Sequence, residues 1–479
     1  MNKNIKYIFV DLDGTLIKTD LLFESALKFL KKNPLNLFLL FIWFVQGKAT
    51  VKHHLARRID IDVSKLPYET PLLDYIIELK EKGHHLILAT AADMHFAMAI
   101  ANHLDIFDDV IATDAKVNLK GVHKLVALKE YARGADFSYA GDSSADKPIW
   151  KEAASNILVN APKSAIKEAI SQGKADKIIN TRNCSTAKAF LRAMRPHQWA
   201  KNALIFVPLV TSQFYTDIEL ISNAVLAFIC FSFCASGVYF LNDLLDLEAD
   251  RQHKTKKNRP LAASDLSIPL GVVGAFVLPA IAFTLSVKYL PANFVTVLAV
   301  YFLLTNAYSF FIKYISTADV MTLAMLYTSR VVAGSAALYM MPSKWLMAFS
   351  IFLFVSLAYL KRYIEISDEK EGGSNAHSRG YSFADCETMF SLGIANITAS
   401  VVILALYVNS EEIITQFKTP EILWALCMLL LYWGNRIWVG ARRGKIADDP
   451  VVFAIKDKVS RMLLLSFVGV ILAADLIEF

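Results

Sequence analysis

With 479 residues, 55% of them hydrophobic, and a mean hydropathy of +0.40, the chain has room for two or more domains and is too apolar to be soluble throughout. Its net charge of +6 is small and sorts by side of a membrane, which argues against nucleic-acid binding. Five cysteines (Cys184, Cys230, Cys234, Cys386, Cys427) show no metal-ligand spacing and are expected to be packing residues in a reducing compartment.

Tyr7 to Val10 is a short run of β-formers that ends in Asp11-Leu12-Asp13-Gly14-Thr15. No cleavable-signal pattern precedes it, so this domain is expected to stay in the cytoplasm. Leu86 to Thr90 predicts a second buried strand, ending in a hydroxyl. Phe137 to Ala140 predicts a third, followed by Gly141-Asp142-Ser143-Ser144-Ala145-Asp146. Ligands collect at strand C-termini in open α/β sheets, so one edge should gather these groups. A nucleophilic carboxylate acting on a phosphate needs a neutralising metal, donors for the phosphoryl oxygens and an acid for the leaving group. Asp11 fits as nucleophile and Asp13 as general acid/base. Thr90 and a lysine would hold phosphoryl oxygens. Lys124 opens the helix pattern GVHKLVAL and suits this role better than Lys116 or Lys120. Asp142, supported by Asp146, would complete a Mg²⁺ site with Asp11 and Asp13.

These motifs, in this order, resemble the phosphatase branch of the haloacid-dehalogenase-like hydrolases over about residues 5–180. The resemblance implies a Rossmann-like sheet and an aspartyl-phosphate intermediate. Residues 16–71 would be a helical cap that selects the substrate. Within it, Leu35 to Val45 is apolar but too short to span a bilayer, and a buried cap helix is expected rather than one lying in the membrane plane. A polar stretch after Ala161 reads as a domain edge, dividing the chain near Asn183 into residues 1–183 and 184–479.

Beyond Pro196 the hydropathy predicts an all-α polytopic domain of about nine spans, near residues 200–216, 218–241, 268–287, 291–312, 318–340, 343–363, 388–408, 420–440 and 459–477. Lysines and arginines alternate between connections: Arg251 to Arg259, Lys313, Lys361 to Arg379, and Arg442 to Lys445 share one side. The positive-inside rule puts that side and the N-terminal domain in the cytoplasm of a plasma membrane, and the C-terminus outside.

The second span runs into NDLLDLEADRQHKTKKNRP, residues 242–260. Asn242, Asp243, Asp246 and Asp250 fall along one stripe of a helix leaving the bilayer. Such oxygen donors repel one another unless a cation such as Mg²⁺ sits among them, shared with substrate phosphates. Lys256 and Arg259 would then meet those phosphates. Lys201 and Asn202 lie deep at the start of the first span, where an unpaired lysine is costly, and are expected to contact phosphate. Tyr308, Lys313 and Asp319 punctuate the next polar cluster, in which Tyr308 and Lys313 are expected to contact the substrate. Arg330, inside an apolar run, needs an anionic partner, either Asp319 or a ligand. Lys361, Arg362 and Glu365, with Asp368, Glu369, Arg379 and Tyr381 beyond, form a further charged cluster suited to phosphate and cation.

NDxxDxxxDxxHxxKxxRP, RPxQWxKN and the span count resemble the UbiA superfamily of intramembrane prenyltransferases over about residues 185–479. Members that prenylate aromatic rings carry a second DxxxD-type motif, where this chain has KRYIEISDE. That departure is similar to the branch of decaprenyl-phosphate phosphoribosyltransferases. The resemblance implies that a polyprenyl phosphate attacks 5-phosphoribosyl diphosphate, with Mg²⁺ on the leaving pyrophosphate. The N-terminal phosphatase would then remove the 5-phosphate. The alternative is an aromatic polyprenyltransferase for quinone-type lipids.

Overall fold

The computed structural model describes residues 5–113, 119–182, 184–212, 216–367, 380–446 and 449–477. It divides into two compact units, one of residues 1–193 and 240–274, the other of residues 194–239 and 275–479.

The first unit begins with β1 (Tyr7–Val10), α1 (Leu21–Lys32), α2 (Asn36–Gln46), α3 (Lys48–Arg58) and α4 (Thr70–Glu81). It continues through β2 (His85–Asp93), α5 (Met94–Leu104), β3 (Asp109–Thr113), α6 (Val122–Ala132) and β4 (Phe137–Gly141). Then follow α7 (Lys147–Glu152), β5 (Ser155–Val159), α8 (Lys163–Ser171), β6 (Ala175–Ile179) and α9 (Thr186–Ala193). The strands form one parallel sheet in the order β3-β2-β1-β4-β5-β6. Helices cover both faces, so the central strands are apolar throughout: Ile8, Phe9 and Val10 are fully buried. Because β1 lies between β2 and β4, the residues after these three strands share one edge. The Asp11 amide donates to the Ala140 carbonyl at 3.0 Å, which carries the pairing to the catalytic loop.

Helices α1, α2 and α3 form the insertion after β1. Asp20 caps α1 by accepting from the Leu22 amide. The expectation of a buried α2 fails. Of its residues only Trp43 is buried, because a helix apolar all round can bury only the face that meets its neighbours. Trp43 stacks on Phe29 at 5.3 Å and on His54 at 4.7 Å, while Phe38, Phe41 and Phe44 stay exposed.

The remaining described residues form helices and their connections: α10 (Pro196–Trp199), α11 (Val207–Thr211), α12 (Ile218–Leu245), α13 (Leu247–Gln252), α14 (Ile268–Tyr289), α15 (Ala292–Phe310) and α16 (Ala318–Ala337). After these come α17 (Lys344–Ser367), α18 (Cys386–Val408), α19 (Glu411–Gln416), α20 (Trp424–Arg442), α21 (Pro450–Lys456) and α22 (Lys458–Leu476). Among the described residues eight helices are long and apolar enough to cross a membrane. The ninth candidate, near 200–216, is instead a string of short pieces: α10, a 3-10 segment over 200–206, and α11. Pro196 and Pro208 each open a new helical piece in this stretch. Lys201 and Asn202 are buried against other side chains rather than facing lipid. The segment lies hard against α16, where a side chain at Gly334 would run into the Ile205 backbone.

Candidate active sites

Asp11 stands just past β1. Its Oδ1 accepts from the Lys124 ammonium at 2.8 Å and from the Leu12 amide at 2.9 Å. Lys124 comes from the first turn of α6, is buried, and also donates to the Tyr139 hydroxyl at 3.1 Å. Tyr139 donates in turn to Asp146 at 2.9 Å, and Asp146 accepts from the Ser143 amide and hydroxyl at 3.0 Å each. Carboxylate oxygens of Asp11, Asp142 and Asp146 lie within 4.8 Å of one another. Burial, then the charges of Asp11 and Asp146, push the Asp142 carboxyl up to about 7. Three mostly buried carboxylates around one lysine are under-neutralised, and an all-oxygen donor set of this size fits a hard divalent cation. Gly14 keeps the cradle open, since a side chain there would collide with the Asp142 carboxylate.

Asp13, expected among the metal ligands, turns away: its Oδ1 accepts from the Leu21 amide at 2.9 Å, and Asp146 takes its place in the triad. Burial, then the nearby Asp20, hold the Asp13 carboxyl well above its usual range. Thr90 is buried near the end of β2, and its oxygen accepts from the Ala92 amide at 2.9 Å, leaving its O–H free to donate. Lys120 is exposed and Lys116 lies outside the described residues. Lys52 was not anticipated. It reaches in from α3, donates to the Ala91 carbonyl at 2.5 Å and feels the charges of Asp13 and Asp20, and burial lowers its ammonium pKa. No motif surrounds it in the sequence.

Asp13 and Asp142 open into a cleft of about 340 Å³. Lys18 and Arg182 line it together with the segment Leu261–Leu270, whose last residues start the span-length helix α14. Within this segment Ser264 adopts a left-handed backbone (φ +60°), and its buried hydroxyl has no hydrogen-bond partner among the described residues.

The acidic motif after the second span is not one continuous helix. Helix α12 stops at Leu245 and α13 resumes at Leu247, with Asp246 between them at φ −98°, ψ 12°. The hydrogen-bond ladder still carries across, since the Asp246 amide donates to Asn242 at 2.9 Å and the Asp250 amide to Asp246 at 2.8 Å. Asp243 and Asp250 are buried and joined by Arg259, whose guanidinium donates to them at 3.1 and 2.5 Å. Arg259 thus stands between two carboxylates expected to share a cation. Asp246 is half-buried, and the only mutually close triad of possible metal ligands among the described residues is Asp11, Asp142 and Asp146. Burial raises the Asp250 carboxyl, against the lowering effect of Arg259. Lys256 is half-buried in the following turn.

In the second unit Lys201 donates to Asp449 at 2.7 Å, and Lys361 approaches the same carboxylate at 3.4 Å. Two lysines expected to hold phosphate therefore turn on one aspartate. Asp449 escaped the sequence reading because it stands far along the chain, just before α21. Asn202 donates to Ser232 at 2.9 Å and accepts from Arg330 at 2.9 Å. Arg330 does not pair with Asp319: it lies against the rings of Phe231, Tyr301 and Tyr327. Asp319 is bound instead by Arg362 and by the Tyr381 hydroxyl, and Arg362 also donates to Glu365 and, at 2.6 Å, to Tyr308. Lys313 lies over the Tyr314 ring at 5.2 Å. Asp368, Glu369, Lys370 and Arg379 lie outside the described residues.

The UbiA prenyltransferase family signature matches residues 205–410, and that of the haloacid dehalogenase-like hydrolases matches residues 8–151. The uncharacterized protein y4nM of Sinorhizobium fredii is 34% identical over 476 residues, covering 98% of this chain and 90% of its own length. Nodulation protein NoeC of Azorhizobium caulinodans is 32% identical over 277 residues, 58% of this chain and 90% of its own. The decaprenyl-phosphate phosphoribosyltransferase of Mycolicibacterium smegmatis is 30% identical over 298 residues, 59% of this chain and 91% of its own. The chain therefore belongs to the UbiA prenyltransferase family, as a multi-pass membrane protein that carries a haloacid dehalogenase-like hydrolase domain in the same polypeptide.

Proposed function

We propose that the chain carries out two consecutive reactions on one lipid: residues 184–479 transfer 5-phosphoribose from phosphoribosyl diphosphate to a polyprenyl phosphate, and residues 1–183 remove the 5-phosphate from the product. The transferase half is supported by the similarity to decaprenyl-phosphate phosphoribosyltransferase over nearly the whole of that protein. The observation that carries the pairing is the cleft in front of Asp13 and Asp142, one wall of which is the segment joining the acidic motif to α14. A phosphomonoester on a lipid headgroup is the substrate such a wall suits.

In the transfer, a phosphate oxygen of the lipid forms a bond to the anomeric carbon as the bond to pyrophosphate breaks. The lipid phosphate is already ionised, so no general base is needed. Asn242, Asp243, Asp246 and Asp250 would hold Mg²⁺, with Arg259 drawing Asp243 and Asp250 together beforehand. Lys201, Lys256, Lys361 and Arg362 supply positive charge for the phosphates, with Asn202, Tyr308, Lys313 and Glu365 fixing their surroundings. In the hydrolysis, Asp11 forms a bond to phosphorus while Asp13 gives its proton to the departing ribose oxygen. Asp13 then takes a proton from the water that releases inorganic phosphate. Lys124 and Thr90 bind the phosphoryl oxygens. Mg²⁺ at Asp11, Asp142 and Asp146 would neutralise the phosphate against the approaching carboxylate. The positive-inside rule supports placing both sites on the cytoplasmic side of the plasma membrane, with the C-terminus outside.

Mass spectrometry of the lipid made from polyprenyl phosphate and phosphoribosyl diphosphate tests this, with hydroxybenzoate and a polyprenyl diphosphate as the control for aromatic prenylation. Wild type is expected to yield ribosyl lipid, Asp11→Asn its 5-phosphorylated form, and Asp243→Asn neither. Prenylated hydroxybenzoate, or a phosphorylated lipid that wild type leaves intact, would refute the respective half.

A further inference from the structure

We infer that α2 is an in-plane membrane helix, seating the hydrolase domain in the headgroup layer of an anionic phospholipid bilayer. From Leu35 to Val45 the chain holds no charge, and Phe38 is 70% exposed, Phe41 68% and Val45 73%. A contiguous apolar surface of this kind on a folded domain marks a binding face. Eleven helical residues rise about 16 Å, roughly half of a hydrocarbon core, so α2 can lie in the membrane but cannot cross it.

Two observations identify the occupant as lipid. The first is charge: Lys32 precedes α2, Lys48 follows it, and Arg57 and Arg58 end α3, all exposed, a basic frame around an apolar face that matches anionic headgroups. The second is position. At the end of α1, four residues before Leu35, the Lys31 ammonium donates to the carbonyl of Leu245 at 2.8 Å. Leu245 is the last residue of the span-length helix α12, and Lys28 approaches Glu248 just beyond it at 3.4 Å. The α1–α2 turn is thereby tied to the level at which a membrane span ends. Trp43, packed between Phe29 and His54 with Arg58 over its ring at 4.8 Å, holds α2 against the domain while its other faces point outward.

The test places the photo-crosslinker p-benzoylphenylalanine at Phe38, Phe41 or Val45 of the full chain in nanodiscs of phosphatidylcholine and phosphatidylglycerol. Val126, 59% exposed on α6, serves as the control. Lipid adducts at least tenfold above the control are expected at the α2 positions. Adducts no higher than at Val126, or adducts joining two copies of the chain, would overturn the inference. Phe38→Glu/Phe41→Glu supplies a second readout: in detergent its turnover of p-nitrophenyl phosphate should match wild type. In nanodiscs the same pair, labelled at Val45, should lose its lipid adducts, and adducts retained at the wild-type level would count against an apolar membrane contact.

Discussion

Asp11 and Asp13 are two residues apart, and the fold gives them opposite surroundings. Asp11 meets an ammonium at 2.8 Å, whereas the half-buried Asp13 meets a backbone amide and the charge of another carboxylate. Burial raises both carboxyls, Asp13 further than Asp11, whose rise the Lys124 charge opposes, and the proposed phosphomonoesterase needs such a split between nucleophile and acid. Replacing Asp13 by Asn should therefore cost about 10²–10⁴ in kcat for an alkyl phosphate, the usual worth of general acid catalysis. The loss should be far smaller for p-nitrophenyl phosphate, whose leaving group needs no proton, and equal losses on both substrates would contradict the assignment. Asp11, Lys124 and Asp142 stood out in the sequence because each follows a strand or opens a helix in a βα pattern, and Thr90 because it closes an apolar run, although β2 itself carries on to Asp93. Lys52 and Asp449 were not, since they reach their neighbours across long stretches of chain and carry no local motif.

At the scale of elements, α1 and α13 are joined by an ion pair of unusual depth. Arg251 donates to Glu24 at 2.5 and 3.2 Å, with side chains only 9% and 13% exposed. Glu24 also accepts from Thr19, whose carbonyl accepts from the amide of Gly14 in the catalytic loop. Removing one member of a buried pair strands the other charge. Glu24→Gln should accordingly speed amide hydrogen exchange over residues 247–252 at least tenfold, and unchanged protection would show that the pair does not hold α13. The break at Asp246 and the short helices over 196–211 were not expected. Hydropathy registers apolar length, but a backbone break or a lysine buried on an aspartate depends on partners elsewhere in the fold.

For the whole molecule, the proposed pairing would raise the effective concentration of the hydrolase site for the product of the transferase site. Asp11→Asn and Asp243→Asn chains mixed in dilute detergent should dephosphorylate the lipid at a rate that rises with total protein, whereas the wild-type rate per chain should not. Chelating Mg²⁺ should stop both phosphate release and lipid formation, and restoring it should return both. Composition, span-length apolar runs and strand-end motifs determined by themselves that this is a membrane protein with an open α/β sheet near its start, because those signals are local and periodic. Only the tertiary structure decided that Asp146 rather than Asp13 completes the carboxylate triad, that Arg362 rather than Arg330 takes Asp319, and that α2 faces outward. Each of these depends on which distant surfaces meet, and burial or pairing in three dimensions leaves no mark at any single position in the chain.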